Sequence, residues 1–299
     1  MTNTSLPIPA TAETVPSRVG VLGGGRMGGG IAHAFLVSDA YVVVVERDVG
    51  SANAARERIE QSIDASIVRG LDADAAQLKQ NLTVATDVTA FGGCHLVIEA
   101  VPESLDLKIE ALRNIEQQLP SDGIIASNTS SIPLSQLAEA LDRPGRFIGL
   151  HFFNPVPASS LIEVVVCELT DPELPDIACG WVRALGKTPI TVNDAPGFAS
   201  SRLGVALALE AMRMVEQGVA SATDIDLAME LGYRHPTGPL RTTDIVGLDV
   251  RLGIAEQLER DLGPNFAPPQ LLRDMVAAGK LGRKSGQGFY DWNTKESSQ

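Results

Sequence analysis

The sequence has few cysteines and no long apolar run, and each of these absences excludes a class of protein. Its three cysteines, Cys94, Cys167 and Cys179, are scattered, with no Cys-x-x-Cys pair and no metal-ligand spacing. We therefore expect no disulfide scaffold, no metal and a reducing compartment, the cytoplasm. No segment reaches the roughly 18 consecutive apolar residues that a membrane span requires, so no membrane partner is expected.

Positive charge is also scarce in this chain. Lys and Arg number 24 against 37 Asp and Glu, which gives a formal net charge of −13. A surface of this sign repels nucleic acid and anionic membranes, and neither is expected as a partner. Any ligand that carries phosphate must therefore be held by local donors.

The pattern of residues changes once along the chain. Residues 1–17 carry no basic segment and no long apolar run, so we expect a flexible tail and not a signal peptide. From residue 18 to about 190, short β-branched runs alternate with helical patterns, which predicts a mostly parallel sheet in an α/β domain. After residue 194 the pattern is helical up to a short GFYDW stretch. We predict an α/β domain over 18–194 and an all-α domain over 195–299.

A glycine-rich loop, RVGVLGGGRMGGG, includes the first predicted strand. Gly23, Gly25 and Gly28 form a G-x-G-x-x-G pattern that encloses Arg26 and Met27 at the opening of a helix. Such glycines allow a tight turn and the close approach of a pyrophosphate, which the helix N-terminus attracts. The pattern predicts a Rossmann-type dinucleotide-binding domain.

The end of the second predicted strand supports that prediction. The stretch YVVVVE places Glu46 18 residues after Gly28. An acid at this point accepts hydrogen bonds from the adenosine ribose of NAD and repels the 2′-phosphate of NADP. Arg47 is adjacent, and a guanidinium can receive such a phosphate. The sequence favours NAD and leaves NADP open.

A histidine stands inside the apolar phrase GLHFFNP. Glu163 follows His151 by twelve residues, in the strand pattern LIEVVV. If the two strands are neighbours, the carboxylate can orient the imidazole, whose other nitrogen can then accept a proton from a substrate hydroxyl. The alternative is a core histidine satisfied by a buried acid, and spacing alone leaves both readings open.

The stretches ASNTSSIPL and GLHFFNPVPASSLIEVV resemble the short-chain L-3-hydroxyacyl-CoA dehydrogenases, which include the bacterial 3-hydroxybutyryl-CoA dehydrogenases. The resemblance extends from Arg18 to Trp292 and includes AVPESLDLK, DAPGF and LGRKSGQGFYDW. It implies NAD-dependent interconversion of an L-3-hydroxyacyl-CoA and the 3-oxoacyl-CoA. In this reading His151 is the catalytic base, Glu163 orients it, and Ser130 bonds the substrate hydroxyl.

The same resemblance implies further ligand contacts. Four residues match cofactor contacts of the family: Glu103, Lys108, Asn154 and Lys284. Ser62 and Arg69 align with residues that hold coenzyme A. Taken without the motifs, Ser130 and Asn154 read as turn residues and Lys284 as a surface charge.

Two positions depart from the family pattern. Ser201, in PGFASSR, stands where the family carries an active-site asparagine that helps to hold substrate, and serine is shorter. Arg241, in GPLRTTDIVGLD, stands where apolar residues are usual. It can pair with a terminal carboxylate, as in a 3-hydroxyadipyl chain, or it can be an exposed helix-cap or interface arginine.

The helical domain resembles the dimerisation domain of the family, and from this resemblance we expect a homodimer. Two other functions stay open. One is a related dehydrogenase of a β-hydroxy substrate on acyl carrier protein or of a free hydroxy acid. The other is a non-catalytic nucleotide-binding protein with the same fold.

Overall fold

The computed structural model describes residues 14–293. The chain divides into two compact units between Asp194 and Ala195. Most of the predicted N-terminal tail, residues 1–13, lies outside the described part of the chain. The two units are described separately below.

The first unit is built on one twisted sheet. Its eight strands within the described residues are β1 Arg18–Leu22, β2 Tyr41–Val45, β3 Leu82–Ala85, β4 Leu96–Glu99, β5 Ile124–Ser127, β6 Phe147–Phe152, β7 Leu161–Val166 and β8 Thr188–Asn193. They lie in the order β3-β2-β1-β4-β5-β6-β7-β8. All neighbouring pairs are parallel except β6 and β7, which are antiparallel. The mostly parallel sheet expected from the sequence is confirmed.

Helices connect these strands: α1 Arg26–Leu36, α2 Val49–Val68, α3 Ala75–Gln80, α4 Leu105–Gln118, α5 Leu134–Ala138 and α6 Leu174–Ala184. Alternate strand residues face opposite sides of the sheet. Val19 and Val21 pack in one core with residues of α1, α2 and α6. A Cβ at Gly20, between them, would meet Phe91 and Val97 instead. The sheet is therefore covered on both faces, which explains why its strands are almost wholly apolar.

The strand order reverses between β1 and β4. From β1 the chain moves outward to β2 and β3, then returns to β4 on the other side of β1. Right-handed crossovers place the helices of the two halves on opposite faces and open a crevice at the carboxyl ends of β1 and β4. Ligands of such sheets bind in this crevice.

The second unit is helical, as the sequence predicts. Its described helices are α7 Ser200–Glu216, α8 Ala222–Leu227, α9 Pro239–Val246, α10 Leu248–Leu262 and α11 Gln270–Ala277. Ser221 caps α8 by accepting a hydrogen bond from the Asp224 N–H at 3.1 Å. Met212, Leu240 and Leu258 lie in its buried core.

Candidate active site

The glycine loop forms the floor of the crevice. Gly23 follows β1 with φ +92°, a conformation that favours glycine. A Cβ at Gly28, in the first turn of α1, would collide with the Gly23 carbonyl oxygen, whereas a Cβ at Gly25 would have no atom within 4 Å. The loop is thus closely packed beneath and open above Gly25. Arg26 and Met27 lie in the first turn of α1, and Arg26 is exposed.

Glu46 lies beside this loop, directly after β2. Its Oε1 accepts a hydrogen bond from the Gly24 N–H at 2.6 Å. Its neighbour Arg47 is 84% exposed and donates from Nε to Asp48 at 3.1 Å. Asp48 is in turn the N-cap of α2. The Arg47 guanidinium therefore has a carboxylate partner of its own.

The predicted pairing of His151 and Glu163 is present. His151 of β6 lies opposite Glu163 of β7 in the antiparallel register. The imidazole Nδ1 is 2.7 Å from Glu163 Oε2. Glu163 is 0% exposed and His151 7%. Because carboxylate oxygens accept hydrogen bonds, the buried pair sets the tautomer with the proton on Nδ1, which leaves Nε2 as the basic nitrogen.

The loop after β5, residues 128–131, lies next to the end of β6. Asn128 accepts a hydrogen bond from the Phe152 N–H through Oδ1 at 2.8 Å, which ties the loop to the strand that carries His151. Ser130 follows two residues later, so its position relative to β6 is set by this bond. The sequence analysis did not assign Asn128, although its place at the end of a parallel strand was a usable signal.

Glu103 holds the same loop from the other side. Its Oε1 accepts hydrogen bonds from the backbone N–H groups of Ser130 and Ser131, both at 2.9 Å, and from the Thr129 hydroxyl at 2.8 Å. Burial acts to raise the pKa of Glu103, but Lys108 and these hydrogen bonds outweigh it and lower the pKa to about 2. Glu103 is therefore a carboxylate at neutral pH.

Lys108 is buried beneath Glu103. The side chain, on α4, is 1% exposed, and its Nζ lies 2.6 Å from Glu99 Oε1 and 3.3 Å from Glu103 Oε2. Glu99 ends β4, is 0% exposed, and accepts a hydrogen bond from the Ser127 hydroxyl at 2.6 Å. The sequence analysis missed Glu99, although its place at a strand end resembles that of Glu46.

A cavity of about 540 Å³ lies between α1, α2 and the loop after β6. Its polar lining residues are His33, Ser66, Arg69 and Lys187. His33 Nε2 lies 2.9 Å from the Ser66 hydroxyl, while the buried Nδ1 has no hydrogen-bond partner among the described residues. Burial, Arg69 and Lys187 together lower the pKa of His33. The structure thus places predicted Arg69 in a cavity rich in cationic groups.

Two other predicted residues of this unit lie at or near that cavity. Ser62 is half-buried on α2, one turn before Ser66, and is not among the described lining residues. Asn154 is exposed just after β6 and precedes Pro155, which does line the cavity. His33, Ser66 and Lys187 were not found from the sequence, because they are distant in the chain and belong to no motif.

The helical unit carries the remaining predicted residues. Ser201 is half-buried in the first turn of α7. Lys284 pairs with Asp249, with Nζ 2.6 Å from Oδ2. The Arg241 guanidinium lies over the Tyr290 ring at 4.4 Å from its centroid. Within the helical unit, Arg241 is therefore engaged in a cation–π contact.

Comparison with known proteins places this geometry in a family. The model of the NAD-binding domain of 3-hydroxyacyl-CoA dehydrogenase matches residues 18–195, and the model of the C-terminal domain of the same enzyme matches residues 197–292. The chain belongs to the 3-hydroxyacyl-CoA dehydrogenase family. The resemblance that the sequence analysis inferred from motifs is thereby confirmed.

Relatives in this family are similar over nearly their whole length. A probable 3-hydroxybutyryl-CoA dehydrogenase of Deinococcus radiodurans is 42% identical over 277 residues, which cover 92% of this chain and all of the relative. A 3-hydroxybutyryl-CoA dehydrogenase of Mycobacterium tuberculosis is 40% identical, with 92% and 98% covered. The crystal structure of the (S)-3-hydroxybutyryl-CoA dehydrogenase PaaH1 of Ralstonia eutropha is 37% identical with a TM-score of 0.89, covering 94% of this chain and all of that one.

The chain is an NAD-dependent oxidoreductase of the 3-hydroxyacyl-CoA dehydrogenase family. Over residues 14–293, each helix is too short or too polar to span a bilayer. The same residues include no group of three or more His, Cys, Asp or Glu side chains placed to hold a metal ion.

Proposed function

We propose that the chain interconverts a short L-3-hydroxyacyl-CoA, of the 3-hydroxybutyryl type, and the 3-oxoacyl-CoA, with His151 as the base. The observation that carries the proposal is the 2.7 Å contact between His151 Nδ1 and Glu163 Oε2, which is buried on paired strands of a 3-hydroxyacyl-CoA dehydrogenase fold. Family membership supports the substrate class.

In the oxidative direction, His151 accepts the proton of the substrate hydroxyl on Nε2. The ring becomes cationic, and the Glu163 carboxylate stabilises that charge within an environment from which bulk water is excluded. In the reverse direction the imidazolium returns the proton to the carbonyl oxygen. Ser130 bonds the same oxygen in this proposal, from a loop that Asn128 fixes to β6.

The crevice fits NAD, which accepts hydride from the alcohol carbon when it is bound. The open side of Gly25 and the N-terminus of α1 suit its pyrophosphate, and the Glu46 carboxylate suits its adenosine ribose. NAD is favoured over NADP because Arg47, the nearest candidate for a 2′-phosphate, already pairs with Asp48. Asn154 and Lys284 are further candidate contacts.

We assign the coenzyme A part of the substrate to the cavity beside α1 and α2. Arg69 and Lys187 bring positive charge to it, and the buried His33 Nδ1 can bond a ligand there. A second cavity of the first unit, about 670 Å³, is lined instead by Glu139, Glu168 and Asp194, whose charge repels phosphate.

The acyl end of the substrate is proposed to be short and uncharged. Arg241 is the candidate that would select a terminal carboxylate, as in 3-hydroxyadipyl-CoA, but its stacking on Tyr290 supports a structural role. Ser201, in place of the asparagine of the family, is shorter and leaves room that a water molecule or a different substrate can fill.

Exposed apolar residues of the helical unit support a homodimer. Leu203 on α7 is 72% exposed in the single chain, and Leu231 and Tyr233 are 79% and 75% exposed. Large apolar side chains at such exposure are typical of surfaces that another chain covers.

A substrate panel tests this function. Oxidation of 3-hydroxybutyryl-CoA, longer 3-hydroxyacyl-CoAs, 3-hydroxyadipyl-CoA, an acyl-carrier-protein thioester and a free hydroxy acid is followed at 340 nm, with NAD and NADP separately. We expect the highest kcat/KM with 3-hydroxybutyryl-CoA and NAD. Preference for the carrier protein or the free acid supports the alternative dehydrogenase, whereas NADH binding without turnover supports a non-catalytic nucleotide-binding protein.

A further inference from the structure

Two carboxylates and one ammonium are buried together under the loop that carries Ser130. Glu99 is 0% exposed and Lys108 is 1% exposed, and their charged atoms are 2.6 Å apart. The second carboxylate, Glu103, lies 3.3 Å from the same ammonium. Removing ions from water is costly unless each finds partners, so this cluster is retained for a reason beyond simple packing.

Every charged group of the cluster is engaged within it or with the adjoining loop. Lys108 Nζ contacts Glu99, Glu103 and the Val101 carbonyl oxygen at 3.3 Å. An ammonium has three protons to donate, and these three acceptors account for them. With 1% of its surface exposed, Lys108 also offers a ligand almost nothing to touch.

The cluster leads to the loop by two routes. Glu103 Oε1 binds the backbone N–H groups of Ser130 and Ser131. Glu99 Oε2 accepts from the Ser127 hydroxyl, whose oxygen accepts in turn from the Thr129 N–H at 3.1 Å. Both routes fix residues 129–131, and the Lys108 ammonium is the point at which they join.

We propose that Lys108 and Glu99 are positioning residues that fix the Ser130 loop through Glu103 and Ser127, and that Lys108 makes no contact with the bound cofactor. This inference rests on the proposed function, because Ser130 matters only if the loop meets the substrate. It differs from the family resemblance, which implies that Lys108 contacts the cofactor directly.

A double-mutant cycle between Lys108 and Glu103 tests the inference. It is run in a Glu99→Gln background, so that loss of Lys108 leaves no unpaired buried carboxylate at position 99. The amide introduced by Glu99→Gln keeps an oxygen for the Val101 N–H and can donate to the Ser127 hydroxyl. In this background Lys108→Met, Glu103→Gln and the combination are compared, with folding checked by circular dichroism.

If Lys108 acts through Glu103, the two effects are not additive. Lys108→Met then lowers kcat by about tenfold or more when Glu103 is present and by less than about twofold when residue 103 is Gln. NADH affinity, measured by fluorescence, changes little with Lys108→Met in either case. Equal loss of NADH affinity with either residue at 103 would show a direct contact and overturn the proposal, as would unchanged kcat with Glu103 present.

The pH profile gives a second readout. The charged groups around Glu103 are Lys108 of α4 and, through Lys108, Glu99 at the end of β4, while residues 128–131 contribute neutral groups. Without Lys108, burial of Glu103 is no longer opposed by a cation, so turnover falls at the acid end of the pH range. The proteins with Gln at 103 show no such change, and an identical acid limb in both would contradict the inference.

Lys79→Met serves as the matched control. Lys79 pairs with Asp64 through Nζ and Oδ2 at 2.9 Å, but both side chains reach solvent, so kcat and NADH affinity are expected to stay unchanged. A wild-type protein that binds NADH but turns over no acyl-CoA would refute the proposed function. The NADH-binding arm of the cycle would still test whether Lys108 contacts the cofactor.

Discussion

Burial and charge act on Glu103 in opposite directions, and the balance sets how this residue contributes to stability. Burial raises its pKa, while Lys108 and the hydrogen bonds from Thr129, Ser130 and Ser131 lower it to about 2. An unfolded glutamate has a pKa of about 4.3. The folded state therefore binds this proton less readily than the unfolded state, and the stabilisation is present above the unfolded pKa and lost as the pH falls toward 2.

We predict that Glu103→Gln removes part of the acid sensitivity of folding. The difference in free energy of unfolding between wild type and variant should shrink by on the order of 2 kcal/mol from pH 6 to pH 2, after allowance for partial exposure of Glu103. Urea unfolding of both proteins at several pH values measures it. A difference that is the same at pH 6 and pH 2 would show that Glu103 titrates normally in the folded protein.

At the scale of elements, the sequence identified the parts that depend on local pattern. The eight strands and the helical second unit follow from alternating and 3.6-residue periodicities. The pairing of His151 with Glu163 was expected from two adjacent strands joined by a short turn, and the register confirms it.

Contacts between distant elements were not predictable in the same way. The ion pair of Lys108 with Glu99, and the grouping of His33, Ser66 and Lys187 around one cavity, depend on how helices pack on the sheet. Spacing along the chain carries no signal for such contacts. Motif matching alone therefore assigned Lys108 to the cofactor, without showing that it is buried.

The turn between β1 and α1 gives a prediction at this scale. A methyl group at Gly25 meets open space, and the backbone there, with φ −61°, suits alanine. Gly25→Ala should therefore leave the melting temperature nearly unchanged while it weakens NADH binding by about tenfold or more, because it blocks the approach of the pyrophosphate.

Gly28→Ala is the matched comparison for that variant. Its methyl group would collide with the Gly23 carbonyl oxygen, so α1 must move away from β1. We expect loss of stability as well as of NADH affinity. If Gly25→Ala binds NADH as tightly as wild type, the cofactor does not approach this loop in the way proposed.

At the scale of the whole molecule, the acidic net charge and the local cationic groups have different consequences. The chain carries −13 overall, yet Arg69 and Lys187 lie at one cavity. Selectivity for an anionic substrate therefore depends on local donors, as the composition led us to expect.

The helical unit leads to a prediction on assembly. We expect wild-type protein to have twice the 31.6 kDa mass of the chain in light scattering, and Leu203→Glu to have the mass of one chain, because a charge on an interface is costly. Val68→Glu is the control, since Val68 is 88% exposed on the first unit. A wild-type monomer, or a Leu203→Glu protein that is still dimeric, would contradict the expected interface.

The central claim is that His151, held by Glu163, is the base of the reaction, and His151→Ala tests it most directly. The account predicts that kcat falls by about 10²–10⁴-fold, the usual contribution of a positioned general base, while NADH affinity stays nearly unchanged. His95→Ala, at an exposed histidine just before β4, should behave as wild type. A His151→Ala protein with kcat within about threefold of wild type would be incompatible with general-base catalysis by this residue.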